Sequence, residues 1–174
     1  MTTKEIQSTI CKAEIHKGNH VAENFTYFFA GELDVISLHK SGYVSEFEVK
    51  VSRSDFKADA KKMKWQWYEN VKLQVDTAHC PNYFYYVCES VNGKPLIDVS
   101  DVKDYHGLIH IIDGVPVIIK KAKLIHRHKQ DTLKLLNKML RLNNWKHYYG
   151  AQFMTIKNKE VKERNDLRLI KNAD

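Results

Sequence analysis

The apolar positions of the chain change period several times, and each change marks a new element. Ile6, Ile10 and Ala13 fall at helical spacing behind Thr2 and Glu5, a pair that fits a capping box. The pattern predicts a first helix over 3–16, ended by Gly18-Asn19. Residues 21–29 are rich in aromatic and β-branched side chains and read as a short strand. Residues 33–38 and 43–51 read as two strands joined through Lys40-Ser41-Gly42, a β-hairpin. Ser54 is expected to cap a helix in which Phe56, Ala60, Met63, Trp67 and Val71 recur at spacings of three and four. Residues 83–87 are continuously apolar, as in a strand covered on both faces. A loop at 92–95 follows, then a hairpin of 108–112 and 115–119 around Asp113-Gly114. The last predicted element is an amphipathic helix over 131–144 with Leu133, Leu136 and Leu140 on one face. This order predicts an α/β or α+β fold with a mixed sheet, in one domain over 1–156, followed by a charged tail over 157–174.

Composition narrows the function classes. The 174 residues are 43% apolar and 28% charged, enough for one globular core. The net charge is +7, from 28 Lys and Arg against 21 Asp and Glu, and such a surplus favours polyanionic partners. Three cysteines without a CxxC pair give no disulfide framework, which points to a reducing cytoplasm, bacterial or reached by a phage-encoded protein. The N-terminus lacks a signal-peptide apolar region, and no stretch approaches the ~18 to 20 apolar residues of a membrane span, so no membrane partner is expected.

The chemistry concentrates in Glu32-Leu33-Asp34-Val35 and Ser45-Glu46-Phe47-Glu48-Val49-Lys50-Val51-Ser52. Side chains alternate along a strand, so Glu46, Glu48, Lys50 and Ser52 share one face, and Phe47, Val49 and Val51 the other. A turn near Ser41 is expected to bring Asp34 opposite Lys50-Val51 and within a few ångströms of Glu48. The plain reading is a solvated face with a cross-strand salt bridge. The set also suits phosphodiester hydrolysis. Asp34, Glu48 and the Val49 carbonyl are hard oxygen ligands for Mg²⁺ or Mn²⁺, and Lys50 is placed to orient water and stabilise developing charge.

Glu46-Phe47-Glu48-Val49-Lys50-Val51-Ser52-Arg53-Ser54-Asp55-Phe56 and Asp59, with Gly31 to Val35 and Ser41-Gly42-Tyr43, resemble the PD-(D/E)XK nuclease superfamily. The pattern is most similar to its MmcB-like DNA-repair branch. Cys80 to Val87, Tyr105 to Ile109 and Lys120-Lys121-Ala122 resemble later blocks of that branch, so the likeness covers roughly residues 31 to 128. The resemblance implies a restriction-endonuclease-like central mixed sheet flanked by helices, divalent-metal chemistry and a nucleic-acid substrate. It implies Asp34 and Glu48 as metal ligands and Lys50 as the catalytic lysine. Leu33-Asp34 stands where the superfamily has Pro-Asp. Many members add a Glu from the first helix, for which Glu5 and Glu14 are the candidates. Glu32 and Ser52 are further accessory candidates, as is Glu46, an in-register rival that would lie ~13 Å along the strand from Lys50.

Lys57, Lys61 and Lys64 form an i, i+4, i+7 stripe, and Lys134, Lys138 and Arg141 repeat it on the last helix. Each is either a solvated helix face or a phosphate track. Asp59 and Lys62 stand at i, i+3 on the same helix as the first stripe and are expected to pair. The expectation is a metal-dependent deoxyribonuclease in DNA repair, recombination or phage DNA processing, monomeric or homodimeric. A junction resolvase would be a symmetric dimer. The alternatives are an inactive nucleic-acid-binding module and a subunit of a repair or replication complex.

Overall fold

The computed structural model describes residues 1–26, 32–59, 61, 65 and 80–144. In chain order the elements are α1 (Thr3–His16), β1 (His20–Phe25), β2 (Leu33–Leu38), β3 (Val44–Lys50), α2 (Arg53–Asp59), β4 (Tyr83–Val91) and β5 (Lys94–Pro95). A 3-10 turn (Val99–Asp101), β6 (Gly107–Ile112) and β7 (Val115–Lys120) follow. Residues 132–144 form a last helix, α3. Met1–Leu136 is one compact unit and Asn137–Asp174 a second.

The first unit is a mixed α/β fold around a central sheet with strand order β1-β2-β3-β4-β6-β7, with β5 attached to β4. The β3–β4 and β4–β6 pairs are parallel; β1–β2, β2–β3 and β6–β7 are antiparallel. Two strands therefore separate β3 from one edge and three from the other, and all seven of its residues are buried. Both faces of such a strand need cover.

On one face lies α1. Its capping box forms: Thr2 N–H donates to Glu5 Oε2 at 2.7 Å, and Glu5 N–H donates to Thr2 Oγ1 at 3.3 Å. Ile6 and Ile10 then pack with Val35, Phe47, Val49, Val87, Ile109 and Ile111. Burying each of those isoleucines contributes about 1.5–3 kcal/mol relative to exposure. The opposite face carries Phe84, Tyr86, Cys88 and Leu108 under Trp65, with Phe56 of α2 packed against them.

Several expectations shift. Val35 pairs with Phe47, so the same register carried one residue further sets Asp34 across from Glu48, not Lys50-Val51. The tight return made by His39 N–H donating to Tyr43 O (2.8 Å), with Gly42 at φ 81°, fixes that alignment. The cap of α2 is Ser52 rather than Ser54, since Asp55 N–H donates to Ser52 Oγ at 3.1 Å. In α3 the buried positions are Leu135 and Met139, while Leu133 and Leu140 are exposed. Of the 92–95 loop, Lys94–Pro95 pairs with β4 as β5. The 27–29 end of the first predicted strand, Gly31, most of 60–71 and the tail from 157 lie outside the described residues.

Candidate active site

The even positions of β3 face α2, and parallel pairing sets each beside a β4 residue: Glu46 beside Phe84, Glu48 beside Tyr86, Lys50 beside Cys88. None is solvated. Glu46 is 1% exposed, Glu48 2% and Lys50 1%, so the plain reading of a solvated strand face is overturned. A buried charge costs several kcal/mol unless it is paired and hydrogen-bonded.

The pairing is present. Lys50 Nζ donates to Glu48 Oε1 at 2.8 Å and to Asp59 Oδ1 at 3.0 Å, and Asp55 Oδ1 lies 3.7 Å away. Asp59, fully buried at the end of α2, also accepts from Tyr86 Oη (Oδ2, 2.7 Å) and from the Trp65 indole N–H (backbone carbonyl, 2.6 Å). Burial, then the charge and hydrogen bond of Asp59, hold the Tyr86 phenol far above its ordinary range, with Glu48 and Glu46 adding to the push. The phenol thus stays a donor.

Asp34 sits where the ladders on either side of it break. The β2–β3 pairs end at Val35, and those of β1 with β2 pass from Glu23↔Val35 to Phe25↔Leu33, omitting Asn24 and Asp34. Asn24 is left-handed there (φ 47°), a conformation that asparagine tolerates better than most residues. Freed from the ladder, Asp34 accepts the Val49 N–H on Oδ2 at 2.7 Å, which ties its carboxylate to the segment between Glu48 and Lys50. Gln7 reaches across from α1 to the Asp34 carbonyl (3.4 Å) and to Asn24 Oδ1 (3.1 Å). Backbone held in such conformations clusters at functional sites.

The structure therefore assembles Asp34, Glu48, Val49 and Lys50, with Glu46 buried on the same strand face. The other accessory candidates do not join them. Glu14 lies on the opposite side of the sheet, accepting from Lys17 (2.6 Å), Asn19 (2.8 Å) and Ser37 (2.7 Å). Glu5 is engaged with Thr2, Ser52 is a helix cap, and Glu32 is exposed. Asp59, for which helical spacing offers only Lys62, is the second anchor of Lys50. Gln7 and Tyr86 are the other members that local patterns do not single out, whereas Trp65, which stands off the apolar stripe of its helix as either a base-stacking or a packing ring, is packed in the core.

Lys57 and Lys61 are exposed at α2 and just after it, and Lys64 lies outside the described residues. On α3, Lys134 and Arg141 are exposed and Lys138 is half-buried. His126, close to the last helix in sequence, is buried with Nε2 2.9 Å from the Cys80 carbonyl, so its ring is structural. All three cysteines are buried, and none of them is in a disulfide.

Among the described residues, no group of three or more His, Cys, Asp or Glu side chains is arranged to hold a metal ion. Asp34 and Glu48 with the Val49 carbonyl are a smaller set of hard oxygen donors. Among the described residues, too, no helix is long and apolar enough to cross a membrane.

The fold and cluster define a mixed α/β protein with a buried carboxylate–lysine centre on its central strand. No family model matches the sequence, and no curated protein does. A solved protein of unknown function from Silicibacter pomeroyi is similar in structure: TM-score 0.61 at 18% identity, over 87% of this chain and 92% of that one. That likeness concerns the fold alone.

Proposed function

We propose that the chain is a divalent-metal-dependent deoxyribonuclease with a restriction-endonuclease-like fold, acting on DNA in the cytoplasm, with Asp34, Glu48 and Lys50 as its catalytic group. The observation that carries the reading is the buried Glu48–Lys50 pair beside an Asp34 carboxylate tied to Val49. Three charged groups at the middle of a covered sheet are costly for a purely structural protein, and functional sites are where such costs are retained.

The donor chemistry suits Mg²⁺ or Mn²⁺. A small hard cation is commonly bound through one or two carboxylates and keeps several waters, so Asp34, Glu48 and the Val49 carbonyl suffice on the protein side. When bound, the ion supplies charge neutralisation at the scissile phosphate and a more acidic water. The protein's part is positioning. Asp59 and Glu48 hold the Lys50 ammonium in one place, where it hydrogen-bonds the attacking water or a phosphate oxygen. The Val49 N–H fixes the Asp34 carboxylate, and Tyr86 and Trp65 fix Asp59 from behind. Lys57 and Lys61 supply phosphate contacts that orient the duplex.

Incubation with labelled duplex, flap, single-stranded and junction DNA in Mg²⁺ or Mn²⁺ tests the reading. Cleavage of at least one substrate, strongly reduced by Glu48→Gln, is the expected result. No cleavage of any of them, or full activity after thorough EDTA treatment, ends it.

A further inference from the structure

A cavity of about 330 Å³ opens directly behind Tyr86, on the α2 side of the sheet. Phe56, Trp65, Tyr86 and His106 wall it with rings, and Lys57 and Lys103, both exposed, stand at its rim. Tyr86 belongs both to this cavity and to the cluster that anchors Lys50, through Asp59. Resting on the nuclease reading, we propose that the cavity receives the base of an unpaired nucleotide near the scissile phosphate. The preferred substrate is then DNA with an unpaired nucleotide rather than blunt duplex.

Size, walls and charge agree on that occupant. The volume sits at the lower end of small-molecule sites, fit for one planar ring system and too small for a helix groove. Every base offers a π-face to aromatic walls, and flipped or single-stranded bases are held in this way. Lys103 Nζ lies 5.9 Å from the Trp65 and Tyr105 ring centroids. An incoming base exchanges that cation–π contact for a stack and releases the ammonium towards phosphate. The acidic wall residue Asp101 does not oppose this, because Arg53 holds both of its oxygens, one of them at 2.6 Å. A neutral aromatic ligand has no phosphate for the two rim lysines to bind, whereas a nucleotide uses both features.

Fluorescence anisotropy in Ca²⁺ on three labelled oligonucleotides of equal length tests the proposal: a blunt duplex, a duplex with one unpaired adenosine, and the same duplex with an abasic sugar there. The unpaired adenosine should bind about tenfold more tightly than its abasic counterpart, the order of one base stack. Trp65→Leu should bring that ratio close to one. Because Trp65 is also core, Phe56→Ala, at a half-buried wall position, is the second variant and should lower the ratio in the same direction. Equal affinity for the adenosine and abasic duplexes overturns the proposal. A persistent base effect without any Mg²⁺ or Mn²⁺ cleavage overturns the nuclease reading alone. Absence of binding to all three oligonucleotides overturns both.

Discussion

Asp59→Asn removes one charge from the buried cluster while keeping its shape. In the parent, the Asp59 carboxylate accepts from Lys50 Nζ at 3.0 Å and from Tyr86 Oη at 2.7 Å, with no exposure to solvent. Losing a buried partner outright costs about 3–5 kcal/mol. Here Lys50 keeps Glu48 at 2.8 Å, and the asparagine carbonyl still accepts one bond. The loss is then near that of a single charge-assisted hydrogen bond, about 2 kcal/mol. For a chain of this length that lowers Tm by roughly 4–8 °C. Tyr86→Phe should cost about 1–2 kcal/mol, and the double variant should fall short of the sum by about 1 kcal/mol, since both substitutions remove the same bond. Thermal and urea unfolding followed by circular dichroism give all four corners of the cycle. In the proposed mechanism Asp59 acts through Lys50, to which it is bonded, and so would be a positioning residue. Asp59→Asn should lower kcat about 10–100-fold with KM little changed, and Asp59→Glu should restore part of it. Strict additivity of the two stability effects would show that Tyr86 and Asp59 are not coupled, and Tyr86 would have to be dropped as a support of Asp59.

Glu48→Gln should lower cleavage about 10²–10³-fold in saturating Mn²⁺, with DNA affinity in Ca²⁺ retained; parental turnover rates would remove Glu48 from the chemistry. Glu14 tests a purely structural carboxylate. Burial pushes its pKa up, but hydrogen bonds from Lys17, Ser37 and Asn19, with the Lys17 charge, outweigh burial and leave it below 4.5. Its folded pKa is thus depressed, so its contribution is complete well above pH 4.5 and is lost as pH falls through the folded value. Glu14→Gln should flatten the fall in Tm below pH 4.5 without changing the metal requirement, and an unaltered acid limb would count against that network. Replacing Lys57 and Lys61 by Ala should make the slope of log affinity against log salt shallower by about 0.9 for each duplex phosphate that is no longer neutralised; an unchanged slope reduces them to solvated surface charges.

Features set by neighbouring residues were legible in the sequence. The capping box of α1, the Leu33–Leu38 strand and the Asp113-Gly114 hairpin each depend on a few adjacent side chains and turn dihedrals, and each forms as read. Features set by long-range packing were not. Leu133, Leu136 and Leu140 and the pair Leu135 and Met139 both satisfy helical spacing, and only the tertiary surroundings choose the second set. Alternation places Ser52 on the Glu48 face, but β3 ends at Lys50, and two residues later the backbone is already turning into α2. Asp59 illustrates the same limit. A helix-local view pairs it three residues onward, whereas the fold returns it to a lysine nine residues earlier.

The register of the β2–β3 hairpin shows why the site is nonetheless recognisable. A slip of an odd number of residues would turn Asp34 to the α1 face, away from Glu48. The expected alignment put Asp34 opposite Lys50-Val51 and the observed one puts it across from Glu48; from Lys50 that is an even step, which preserves the face and displaces Asp34 only along the strand. Alternation therefore selects the right side chains for one face whichever of those two positions the turn sets. What alternation cannot supply is the cover on that face. The same Glu-x-Glu-x-Lys pattern at a sheet edge would be a harmless solvated row. Here the crossover to a parallel β4 and the return of Asp59 and Trp65 take it out of water, which strengthens every interaction the carboxylates and lysine make. The topology that makes the charges expensive is thus also what would make them reactive in the proposed nuclease. Catalytic competence and a stability cost should accordingly be linked at Lys50, where Lys50→Met is expected to remove activity and leave Glu48 and Asp59 without their shared cation.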